Sequence, residues 1–273
     1  VPRNTLLAVN LQTVSGEEVA YVGNPTALNN GDVLTYVLAR SRWENAPAGA
    51  ASIKTQFYET EFLDYFATSP ALFDPWFLVS PQDGTVSKIA GLALHPGIIR
   101  FSSTTSADSG YMALTQIDGI LIAGGEQANF IIRPQVLAGT TIRLGFHDSS
   151  SSAAPVDGCY IEMAQVAAVD GVIVGKTSSN SVRSTTVSNY TLVTDTWYQL
   201  RVAVNAAVNL VSYYLYNEAG VQLWTDTLAA NIPVAAGREV GHGIVATNSA
   251  TSAVALVDVD YMNLWIDRNL TRL

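Results

Sequence analysis

The chain has 273 residues, 48% hydrophobic and only 14% charged, so it can bury a large core and intrinsic disorder is excluded. Fourteen basic residues against 23 acidic ones give a net charge of −9. That balance offers neither the basic stripe of a nucleic-acid binder nor the Lys/Arg-rich helix of a membrane-surface protein, and no run of roughly 18 apolar residues points to membrane insertion.

In chain order, the first 54 residues differ in texture from the rest. Residues 6–11 and 17–22 read as short strands, and residues 23–32 are turn-rich. Residues 45–51 are small, with Pro and Gly, which is linker composition. The expected organisation is an N-terminal arm over 1–54, a main domain over 55–268 and a short tail over 269–273. Val1-Pro2-Arg3 is not a basic-then-apolar leader, so a secretory signal is expected to be absent or already removed. The one candidate helix, 60–66, reads equally well as an extended arm.

From there on the period is two, not 3.6. In 197–204, Tyr198, Leu200, Val202 and Val204 share one side, and Trp197, Gln199, Arg201 and Ala203 the other. Residues 205–207 break the run, and 208–216 resume it with Val211, Tyr213 and Leu215 in phase, which reads as an antiparallel hairpin. Segments 129–136 and 140–146 read the same way around Leu137-Ala138-Gly139. Further strands are expected at 98–102, 111–117, 158–164, 171–176, 220–225, 243–247 and 253–266. Ser/Thr/Asp/Gly clusters at 102–110, 148–158, 177–181 and 247–252 supply the turns. Strands at this spacing without intervening helices predict an all-β protein, two antiparallel sheets packed face to face.

Several phrases carry a resemblance. Asn30-Gly-Asp-Val-Leu-Thr-Tyr36 and Arg42-Trp-Glu-Asn-Ala-Pro-Ala48 resemble a connector common in bacteriophage tail-fibre proteins. His95-Pro-Gly97, Ser109-Gly-Tyr111, Arg143-Leu-Gly-Phe146, Thr196-Trp-Tyr-Gln-Leu-Arg-Val202 and Asp258-Val-Asp-Tyr-Met-Asn-Leu264 resemble a phage-associated concanavalin A-like jelly-roll domain of the lectin/glucanase type. The resemblance implies a virion-surface protein: a tail fibre or receptor-binding module that attaches to host surface polysaccharide. It also implies homotrimers and contact with other virion proteins through the arm. Two alternatives stay open, a capsid decoration protein without glycan binding and a carbohydrate-active hydrolase on the same fold.

The hydrolase alternative rests on Tyr58-Glu-Thr-Glu-Phe-Leu-Asp64. Retaining glycosidases need two carboxyls about 5–5.5 Å apart, and residues i and i+2 of a strand share a face. Glu59, Glu61 and Asp64 have that kind of spacing, but the acid types are exchanged relative to the Glu-x-Asp-x-x-Glu pattern of jelly-roll hydrolases. Three acids in six residues are more often a solvated face, and no enzyme activity is expected. No Gly-x-Ser-x-Gly elbow and no phosphate-cradling loop is present, since Gly124-Gly125-Glu126 lacks a Lys and a following helix. His147 and Asp148, with Asp157 or Glu162, offer metal donors, as do Asp258 and Asp260 for Ca²⁺, but no Asp-x-Asp-x-Asp loop exists and no metal or cofactor is expected. Cys159 alone allows no intramolecular disulfide and reads as core packing. Asn189 and Asn269 open glycosylation triplets that a phage protein would leave unused.

Binding is the more natural activity. Tyr160 and Glu162 fall opposite Cys159, Ile161 and Met163, and Tyr214 and Tyr216 fall opposite Val211, Tyr213 and Leu215. These four are the candidate glycan-binding residues, an outward strip that meets either a sugar or another subunit. Trp43 and Trp76 read as packing anchors.

Overall fold

A computed structural model describes residues 33–37, 42–46, 53–61, 77–79, 84–104, 110–114, 119–149, 151–248 and 254–268; the first four segments, 110–114 and 267–268 are described by backbone only. Of the sequence expectations, 6–11, 17–22, Asp64, Trp76 and Asn269 lie outside the described residues. The chain divides into two compact units, Lys54–Asp267 and the remainder.

In the smaller unit, β1 (Val33–Val37) and β2 (Arg42–Ala46) form an antiparallel hairpin that pairs Tyr36 with Trp43. The larger unit continues with β3 (Ile53–Glu61), β4 (Phe77–Val79), β5 (Thr85–Ile89), β6 (Ile98–Ser102), β7 (Gly110–Leu114) and β8 (Gln127–Pro134). Next come β9 (Thr140–His147), β10 (Gly158–Val166), β11 (Val169–Ser179), β12 (Val182–Thr185) and β13 (Tyr190–Thr191). Last are β14 (Tyr198–Val204), β15 (Val211–Asn217), β16 (Gln222–Leu228), β17 (Gly241–Asn248) and β18 (Leu256–Arg268). Among the described residues there is no helix, so the short helix considered at 60–66 does not begin at Thr60 or Glu61, which end β3.

These strands build two eight-stranded sheets. Sheet I runs β12-β11-β10-β9-β17-β7-β4, with β13 on β11. Sheet II runs β16-β15-β14-β8-β18-β6-β5, with β3 on β18. All-β, two antiparallel sheets face to face, is the architecture that the alternation predicted.

The alternation works as written in β14 and β15. Tyr198, Leu200, Val202, Val204, Val211, Tyr213 and Leu215 enter the core, and the two strands pair as a hairpin. The intervening turn is longer than expected because the Asn205 side chain accepts the N–H groups of Asn209 and Leu210, holding residues 205–210 out of the ladder. The expected β8–β9 hairpin is not formed. β8 lies in sheet II and β9 in sheet I, so the 135–139 connection crosses from one sheet to the other. Ala128, Phe130 and Ile132 face Ile142, Leu144 and Phe146 within one core. Alternation specifies which side chains turn inward and is silent on which strand lies alongside.

Tyr213 ties the sheets together. Its ring lies over Gly175 of sheet I, where an added Cβ would sit 2.3 Å from Cδ2, and its hydroxyl donates to the Lys176 carbonyl at 2.7 Å. Cys159 is fully buried in the core, as expected.

Candidate functional site

Successive strand side chains leave the sheet on opposite sides. Those alternating with the core residues therefore form the two outer faces, and the faces differ in access.

On sheet I the outer face is covered over β10. The loop between β9 and β10 lies across it: Arg143 donates to the carbonyls of Ser152 and Ala153, and Arg183 to those of Ala154 and Pro155. Asp148 accepts the N–H groups of Val156 and Asp157, which closes the loop on itself. Beneath it, Tyr160 is fully buried, and burial pushes its hydroxyl up to about 12. Glu162 is buried between Arg143, 2.8 Å away, and Lys176. Burial would raise its carboxyl, but the two cations outweigh that and hold it below the ordinary range. The expectation of an outward Tyr160–Glu162 pair is thus corrected. Both leave the sheet on the outer side, and the loop then covers them.

On sheet II the outer face is open, and the register aligns it in rows. Thr225, Tyr214, Arg201, Asn129 and Asn263 form one row across five strands, roughly 19 Å at about 4.8 Å per strand. Tyr216, Gln199, Ile131 and Tyr261 form the next, and Ser212, Ala203, Gln127 and Trp265 flank the first on its other side. Tyr214 and Tyr216 are half-buried, with near-parallel rings 6.2 Å apart. The Arg201 guanidinium lies 4.3 Å from the Tyr214 ring centroid and 5.7 Å from that of Tyr216, and its Nη2 donates to the Tyr216 hydroxyl at 3.0 Å. Asn129 donates to Asn263 at 2.7 Å, and Asn263 to the Tyr261 hydroxyl at 2.8 Å.

The structure therefore keeps Tyr214 and Tyr216 together on an accessible surface and sends Tyr160 and Glu162 to the other sheet. Sequence reasoning missed Arg201, Asn129, Asn263, Tyr261 and Trp265 as members of that surface. Arg201 was already on the outward side of its strand. What placed it beside Tyr214 is cross-strand register, which only pairing reveals.

The carboxylates among the candidate metal donors are engaged elsewhere, and His147 is fully buried. Asp157 accepts from Arg238 at 3.1 Å and from the Asn180 N–H at 2.8 Å. Asp258 is bracketed by Arg100 and Arg133. A bulge in β18 between Val259 and Tyr261 separates Asp260 from Asp258, so the two do not share one environment as the alternation implied. Asp260 meets His95 Nδ1 at 2.8 Å, Glu218 lies 3.3 Å from His95 Nε2, and the imidazole stacks on Trp197 at 3.8 Å. Among the described residues, no group of three or more His, Cys, Asp or Glu side chains converges to hold a metal ion. Gly124-Gly125-Glu126 is a self-closed loop, the buried Glu126 carboxylate accepting the N–H groups of Ala123 and Gly124. Glu59 and Glu61 lie on β3, and their side chains fall outside the described residues.

Two facing antiparallel sheets with these connections define a jelly roll of concanavalin A-like fold. Residues 94–260 match the family described as SO2946-like, C-terminal domain, and the chain belongs to that family. Among solved structures it is similar to SO2946, a protein of unknown function from Shewanella oneidensis MR-1, with a TM-score of 0.61 and 18% identity over 76% of this chain and 84% of that one. Peanut lectin, solved with a nine-residue peptide, gives 0.53 at 11% identity over 78% and 97%. The CBM2 module of the evolved Dit of Lactobacillus casei BL23 phage J-1 gives 0.52 at 11% identity over 79% and 97%. At these identities the likeness is one of fold. No curated protein sequence matches the chain.

Proposed function

We propose that this chain is a bacteriophage virion protein, a tail-fibre or receptor-binding module whose β-sandwich attaches to a host surface glycan. The observation that carries the binding is the open outer face of sheet II, where the Tyr214–Tyr216 pair shares a surface with the Asn129–Asn263 amides across the intervening strand β14. Aromatic rings accept the C–H face of a sugar, and amides with a fixed orientation accept and donate to its hydroxyls. The phage setting is supported by the 30–48 connector phrases and by the fold shared with a phage J-1 module. In this reading residues 1–54 join three copies and dock on other virion proteins at the virion surface.

The test is binding of the full chain to a glycan array and to isolated bacterial cell walls. Tyr214→Ala and Tyr216→Ala each weaken binding about fivefold, as expected for a ring worth roughly 1 kcal/mol. Undiminished binding by both variants, or none by the parent, overturns the reading. Light scattering of the full chain tests the trimer, a mass near that of one 29.1 kDa chain being the refuting result.

A further inference from the structure

We propose that the outer face of sheet II takes an anionic cell-wall glycopolymer, with its carboxylate or phosphate oxyanion held by Arg201 beside Tyr214 and Tyr216. This rests on the glycan-binding reading and specifies the class of glycan.

The chain carries nine more acidic than basic charges, and of the six arginines whose side chains are described four meet a carboxylate. Arg100 and Arg133 share Asp258, Arg143 meets Glu162, and Arg238 meets Asp157. Arg183 is spent on the carbonyls of Ala154 and Pro155. Among the described residues, Arg201 meets no carboxylate. Its one hydrogen bond there goes from Nη2 to the neutral Tyr216 hydroxyl, and its Nε is buried with no acceptor. Among the described residues Nη1 makes no hydrogen bond, and it keeps some access to solvent.

Position adds to charge. Arg201 stands at the centre of its row, with Tyr214 on one side and Asn129 on the other. Ring contacts to both tyrosines hold the guanidinium in place before any ligand arrives. A ligand therefore does not bear the entropy of ordering a long side chain. Asn129 spends its N–H on Asn263, and its carbonyl oxygen is left to accept a sugar hydroxyl.

Charge decides the class of polymer. A neutral pyranose seated on this row would shield the guanidinium from water and return only neutral hydroxyl acceptors, which offset less of the desolvation cost. A glycopolymer oxyanion offsets that cost with a charge-assisted hydrogen bond. Two sources supply such an oxyanion, the carboxylate of a uronic acid and the phosphate of a polyol-phosphate polymer.

The experiment measures binding of the full chain to polygalacturonate, to its methyl ester and to poly(glycerol phosphate), for the parent, Arg201→Gln, Arg201→Lys and Tyr216→Phe. Thermal melting establishes that each variant is folded. The expected result is at least tenfold tighter binding to one of the two anionic polymers than to the ester, and the polymer preferred identifies the source. Arg201→Gln removes the preference, Arg201→Lys keeps part of it, and Tyr216→Phe, which frees Nη2, keeps the preference while changing affinity. Equal binding of ester and anionic polymer, unchanged in Arg201→Gln, overturns the inference and leaves the glycan reading standing. Binding to none of the three polymers overturns it whatever the array shows. Silence on the array as well removes both.

Discussion

Asp258 is the residue whose removal tests the reading of sheet II most directly. It sits on β18 between Arg100 of β6 and Arg133 of β8, in register with both. It is fully buried and accepts from Arg100 Nε at 2.6 Å and Nη2 at 2.9 Å, and from Arg133 Nη2 at 2.7 Å. Its hydrogen bond holds the Arg100 guanidinium above even its ordinary high pKa. Asp258→Ala leaves two cations facing each other without an anion. Breaking a buried ion pair by removing one partner costs about 3–5 kcal/mol. Here both guanidiniums reach water in part, and Arg133 keeps Asp195 at 3.1 Å, so the low end, about 3 kcal/mol, is expected. At roughly 2–4 °C per kcal/mol for a domain of this size, the melting temperature falls by roughly 6–12 °C. Arg100→Ala alone costs less, about 1–2 kcal/mol, because Arg133 still neutralises Asp258. Urea unfolding followed by tryptophan fluorescence supplies the values, and the Arg100→Ala/Asp258→Ala double variant closes the cycle. A loss below about 1 kcal/mol for Asp258→Ala, or strict additivity in the double variant, refutes the argument that this carboxylate holds β6, β18 and β8 together.

Three further outcomes follow from the core. Gly175→Ala drives a methyl into the Tyr213 ring and is expected to cost about 1–3 kcal/mol in the same urea assay, whereas an unchanged midpoint means that the sheets are not pinned at Tyr213. Burial holds His147 and His242 down at about 3, so the unfolded chain takes up their protons first. Their contribution to stability is complete above about pH 6.5 and is lost as pH falls towards 3; the urea midpoint therefore drops between pH 7 and pH 5, and an invariant midpoint there is the contrary result. Burial raises the Cys159 thiol far above its ordinary value, so iodoacetamide at neutral pH leaves the folded protein unlabelled and labels it in urea, with rapid labelling of the native chain as the outcome against this placement.

The sequence by itself determined the period and therefore the fold class. Side chains two apart on a strand share a side whatever the strand pairs with, so the inward set of β14 and β15 could be read directly, from Tyr198 to Leu215. The same local rule placed Tyr214 and Tyr216 outward and Cys159 inward. It also put Tyr160 and Glu162 on the outer side of β10, which is where they leave the sheet.

What happens beyond that side is not local. The 148–157 loop folds over Tyr160 and Glu162 because Arg143 and Arg183 bind its carbonyls, contacts that link residues 8–29 positions apart. The separation of β8 from β9 into different sheets depends on which strands each finds, not on its own pattern. One extra residue at Asp260 takes β18 out of simple alternation, and no feature of Asp258-Val-Asp-Tyr-Met announces it. Arg201 became a site residue only when register set it between Tyr214 and Asn129, residues 13 and 72 positions away. Alternation fixes a face through the geometry of two adjacent peptides; pairing, coverage and charge compensation arise between distant segments, and only the folded chain decides them.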